Sequence, residues 1–212
     1  MQSLTPDEVT ALFTRADGKY LFARWGRPIV PVVFGVEDAT VSILKGAIEA
    51  VVALADHRMA ETDPELGANL MVFFLRDWAE LTATPNLDRL IPDLPETVAR
   101  LEDARANQYR AFRFDEGGAI KAAFVFVRMD AAMAQAPAET IALSQIVQTI
   151  LLWSDTAFLG ASPLAVLQAG GPAILKPQIA DLIRAAYDPV MPAHAIDPSH
   201  ALRLAARLPR PQ

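Results

Sequence analysis

The chain contains no cysteine, which excludes disulfides, thiolate metal sites and cysteine nucleophiles. That absence suits cytosol and periplasm alike. Histidine is nearly as scarce: the three present are His57, His194 and His200. Their scatter reads as surface or capping residues rather than a ligand set. No segment reaches the ~18 continuous apolar residues that a membrane span needs; the longest candidates are broken by Glu49, by Gln145 and Gln148, or by prolines. Positive charge is in deficit, with a formal net charge of -6 and no Lys/Arg stripe to offset it, so a nucleic-acid partner is not expected. The most basic piece, Arg203 to Arg210, reads as a solvated helix face and tail. The N-terminus is acidic and capped for a helix, unlike a signal peptide. The expected compartment is the periplasm or envelope if a leader has been removed, and the cytoplasm otherwise.

Core material is plentiful. Apolar residues make up 52% of 212, and the 16 prolines fall mostly between apolar segments as punctuation. The expectation is a single domain over 1–212, with an N-terminal α/β lobe to about 155 and a helical C-terminal lobe from about 156.

Thr5-Pro6-Asp7-Glu8 carries a capping box and starts a helix expected to end near Gly18. Pro28 to Gly35 reads as a short strand, and Pro31 confines it to a sheet edge or a bulge. From Asp38 to His57, Val41, Leu44, Ile48, Val51, Val52 and Ala55 form the buried stripe of a long helix. Asn69 to Leu75 is a continuous apolar run, as in a strand covered on both faces. Short helices follow at 77–81, 86–90 and 95–106, then a hairpin over 108–128 with its turn at Asp115-Glu116-Gly117-Gly118. A central helix opens at Pro137 and is expected to run to about Trp153. Beyond it only helices are expected, at 162–168, 177–186 and 198–208, with a loop at Gly170-Gly171-Pro172. The class is therefore α+β: a mixed sheet of about four or five strands, packed by the long and central helices, with an all-helical C-terminal third.

The central helix carries Ser144, Gln145 and Gln148 where a zinc peptidase would carry His-Glu-x-x-His. Arg24-Trp25 with Pro28, Asn69, the helix residues Gln148, Leu152 and Asp155, and the segment Ile183 to Pro189 occur in that order. Together they resemble an uncharacterised proteobacterial family of unknown function with lipoproteins among its members. The resemblance spans about residues 20–205 and implies a zincin-like fold, by analogy with zinc peptidases whose metal helix also follows a mixed sheet. This chain departs from the family helix at both of its acidic positions, which are Ser144 and Gln145. A zincin needs two imidazoles one turn apart and a neighbouring carboxylate as base. A hydroxyl and amides supply neither, so no catalytic residue, metal ligand or cofactor is expected.

Asp155 reads as a cap or loop residue, with a buried acceptor for Arg24 as the alternative. Trp25 and Trp153 read as core, with packing on each other or the lining of a groove as alternatives. Asp115-Glu116 and Glu61, Asp63, Glu65 are acidic turns without the ligand spacing of a calcium loop. No serine sits in a Gly-x-Ser-x-Gly setting, and Gly170-Gly171 lacks a nucleotide-loop context.

The favoured expectation is a non-catalytic, zincin-like domain, a pseudo-peptidase, binding a peptide, a protein or an envelope component between the sheet edge and the central helix. Its candidate binding residues are Arg24, Ser144, Gln145, Gln148, Trp153 and Asp155. The alternatives are a peptidase-type hydrolase with an unrecognised site, and an assembly subunit; sequence leaves the oligomeric state open.

Overall fold

The computed structural model describes residues 3–167 and 171–209. Helix α1 (Pro6–Phe13) starts on the expected capping box, Thr5 and Glu8 exchanging backbone bonds. It ends at Phe13 rather than near Gly18. Thr14 bridges Tyr20, and Gly18, at φ +81°, serves the turn between them instead of closing the helix. Strand β1 (Phe22–Ala23) follows, then β2 (Pro31–Phe34) and the long α2 (Asp38–Leu54), which buries Leu44, Ile48, Val51 and Val52 as its spacing requires. Strand β3 (Leu70–Leu75) leads to three short helices, α3 (Ala79–Ala83), α4 (Leu87–Leu90) and α5 (Leu94–Asp103). The hairpin is β4 (Gln108–Phe114) and β5 (Ile120–Arg128). Gly118 in its turn has φ +81°, and a Cβ there would lie 2.5 Å from the His194 ring.

The principal sheet is four-stranded and mixed, in the order β2-β3-β5-β4. β2 and β5 flank β3 in parallel, and β4 closes the far edge antiparallel. Pro31 thus sits on an edge strand, as its missing N–H demands. Alternation along β3 and β5 divides the core. Leu70, Val72, Ala123, Val125 and Val127 face the larger core, built with α2 and α6 (Ala138–Val147). Met71, Phe73, Phe124 and Phe126 face a smaller core roofed by Trp78, Leu81, Leu87 and Leu94. Phe34, Phe73, Phe126 and Tyr109 stack in register across all four strands, at centroid spacings of 4.8, 5.0 and 6.2 Å.

The C-terminal third is not all helical. Leu164–Val166, expected within a helix, is β6, and it pairs antiparallel with β7 (Ala173–Leu175). Each is a three-residue apolar run beside a proline, too short for periodicity to distinguish strand from helix. Gln168 and Gly170 lie outside the described residues. Helix α7 (Pro177–Ala186) occurs as expected, but β8 (His194–Ala195) pairs with β1 before α8 (Ser199–Ala205) ends the fold. Among the described residues no helix is long and apolar enough to cross a membrane.

Candidate functional site

The central helix stops six residues earlier than its apolar run suggests. Gln148 is its C-cap, and the carbonyls that a helix end leaves without partners are taken up by side chains. Thr149 Oγ1 donates to the Gln145 carbonyl (2.6 Å) and Trp153 Nε1 to Val147 (2.9 Å). Trp25 Nε1 donates to Thr149 (3.0 Å) and the Tyr187 hydroxyl to Ile150 (2.9 Å). The freed chain then runs extended beside β1, Leu152 N–H donating to Ala23 O at 2.8 Å. Tyr187 also accepts from Trp25 N–H, and burial raises its pKa. The Arg24 guanidinium lies 5.2 Å from the centre of the Tyr187 ring and donates to Met191 O. Arg24-Trp25 and the Ile183–Pro189 segment, separate in sequence, thus meet at the end of α6.

Asn69 anchors a second junction. It is fully buried; its Oδ1 accepts from Val30 N–H, and its Nδ2 donates to Pro28 O and to Asp63. Burial opposes charge on Asp63, but the Leu66 and Glu65 N–H groups, Asn69 and Arg27 outweigh it and hold the carboxyl at about 2. Glu65 pairs with Arg27 and Lys121. Asp63 is thus sealed into the junction, while Glu65 stays exposed in its turn.

The early end of α6 also leaves a groove. A cavity of about 370 Å³ lies between β4 and the chain after α6. Gln108, Tyr109, Arg110 and Phe112 form one wall; Gln148 with Leu152 to Asp155, Phe158 and Leu159 form the other, and Arg15 closes an end. Side chains from both faces of β4 contribute, so the cavity runs along the strand's outer edge. A shallower pocket continues it past Ser144, Gln148 and Gly160 to Pro163.

Arg110 projects from the inner face of β4, in phase with Phe112. One of its terminal nitrogens donates to Gln145 Oε1 (2.6 Å) and Gln108 Oε1 (2.8 Å). Its Nε is buried without a partner. Among the described residues no carboxylate pairs with it, and desolvation pushes its pKa down to about 10.

Ser144, Gln148, Trp153 and Asp155 thus share one groove, and Gln145, 2% exposed, lies beneath it as the seat of Arg110. The two amides have opposite fates: Gln145 is sealed, while Gln148 is half-buried at the wall with Nε2 donating to Ser144 Oγ (2.9 Å). Arg24 does not line the groove. Nor does Asp155 meet Arg24; it is exposed, accepting from Ala16 N–H at 2.9 Å. The two tryptophans pack apart from each other. Trp153 stacks on Phe13 at 5.4 Å, and Trp25 is buried in the main core. His200 is a core residue rather than a surface one, bonded to Tyr20 Oη through Nδ1 at 2.8 Å and set 4.2 Å from the Phe22 ring. Among the described residues no three acidic or histidine side chains gather as a metal site. Sequence reasoning missed Arg110, Gln108 and Arg15. The available signal was a charged residue alternating in phase with Phe112 on a strand whose inner face must be covered. Comparison with family profiles, curated proteins and solved structures returns no match for this chain.

Proposed function

We propose that this protein binds an extended peptide segment of a partner protein along the free edge of β4, without acting on it chemically. The observation that carries this reading is the lining of the groove by near-consecutive residues from both faces of an edge strand. An added strand would meet unpaired backbone groups on one side and Gln148, Trp153 and Phe158 on the other. The antiparallel edge strand beside a short helix is also the arrangement a zincin-like lineage would retain. On that reading Ser144, Gln145 and Gln148 stand where the metal ligands and base would be. In their place are a hydroxyl bonded to an amide and a buried amide bonded to an arginine. Their chemistry suits holding a backbone rather than activating water.

Selection of peptides from a random display library against the purified protein tests this. The expected outcome is binders that lose at least tenfold in affinity for Gln148→Trp, which fills the groove while leaving the sealed junction of Trp25 and Tyr187 untouched. Binders indifferent to that substitution, in a variant that melts like the parent, would overturn the reading.

A further inference from the structure

Resting on that peptide-groove reading, we infer that the bound segment presents its C-terminal carboxylate to Arg110. A guanidinium carries donors in a planar fork suited to a carboxylate, and its charge is costly to bury alone. Among the described residues the acceptors at Arg110 are neutral, the amide oxygens of Gln108 and Gln145. Nε remains without a partner, and no acid of the described residues pairs with the group. Gln145 Nε2 in turn donates to Gln108 Oε1 at 3.1 Å, so the two amides lock each other and fix the arginine between them. This is a positioned cation at the wall of an open cavity.

The rest of the groove restricts that anion. Arg15 adds a second cation at its end, while Trp153, Phe112 and Phe158 supply apolar wall. Asp155 lines the same cavity, and its charge would repel a doubly charged phosphate more strongly than a single carboxylate. Arg24 and Arg128 also bury Nε without a partner, but in other settings, Arg128 facing Asp130 at 3.9 Å. Arg24 lies over the Tyr187 ring and is bonded to Met191 O, without lining this groove.

Calorimetric titration at pH 7 with N-acetyl-trialanine, its C-terminal amide, acetate and inorganic phosphate tests the inference. The free acid is expected to bind at least tenfold more tightly than the amide. Arg110→Met should erase that difference, and Arg110→Lys should retain part of it; thermal melts establish that both variants are folded. Equal affinity for acid and amide would overturn the carboxylate while leaving the groove in place. Preference for phosphate, or no binding of any of the four probes, would overturn it as well. Acetate binding as tightly as the acetylated tripeptide would keep Arg110 as a carboxylate site and remove the peptide groove.

Discussion

The two sides of the end of α6 are built from similar side chains to opposite ends. On one side Trp25, Tyr187 and Thr149 each give a hydrogen to a carbonyl of the 145–150 segment. That junction is closed, and most of its polar groups answer one another within the chain, with Arg24 Nε buried there without a partner. On the other side Arg110, Gln108 and Gln148 stand at a cavity, and among the described residues no carboxylate pairs with the arginine. Buried polar groups are almost always satisfied, and the Trp25, Tyr187 and Thr149 bonds of the closed side follow from folding alone. The open side differs in that its arginine borders a cavity.

The contrast breaks most severely if the closed side is cut. Trp25→Ala removes a fully buried indole and the donor to Thr149 O. It should cost about 3–5 kcal/mol in urea unfolding; a loss below about 1 kcal/mol would mean that the junction does not hold the fold. Acid strains the same side next. His200 is 3% exposed, and burial, aided by Arg203, brings its pKa down to about 4. Its folded pKa lies below the unfolded value of about 6.5, so the unfolded chain takes up the proton first. Its contribution is complete above about pH 6.5 and is lost as pH falls toward 4, by about 2–3 kcal/mol at pH 4.5. Half-buried His57, lowered by desolvation, acts in the same direction. Melting temperature measured from pH 7 to 4.5 should fall, and His200→Phe should flatten most of that slope; equal slopes would remove His200 from the account. The smallest effect belongs to the open side. Gln148→Ala should shift stability by less than about 0.5 kcal/mol and still weaken a selected peptide several-fold. A large stability loss there would erase the distinction between the two sides.

The closed framework was the more legible part in sequence. The stripe of α2, the double-faced run of β3, the hairpin and the edge position of Pro31 all follow from periodicity and from proline's missing N–H. What failed was governed by partners distant in the chain. No glycine marks the end of α6: Thr149 and Trp153 take carbonyls of its last turn, and Trp25 and Tyr187, distant in sequence, hold the carbonyls of Thr149 and Ile150 just beyond it. β6, β7 and β8 are two or three residues long and exist only as pairs. Ser144, Gln148, Trp153 and Asp155 were brought to one groove from neighbouring positions in sequence, whereas Arg110 comes from the opposite wall. Its importance depends on which carboxylates fold away from it, a property that no local pattern carries.

Hydrogen–deuterium exchange with a selected peptide at saturation separates the two sides most directly. Slowed exchange over 108–112, with 22–25 and 149–152 unchanged, is the predicted result, since an added strand would protect the outer edge of β4 and leave the closed junction as it was. Protection along 31–34 at the opposite sheet edge, or none along β4, would contradict the account.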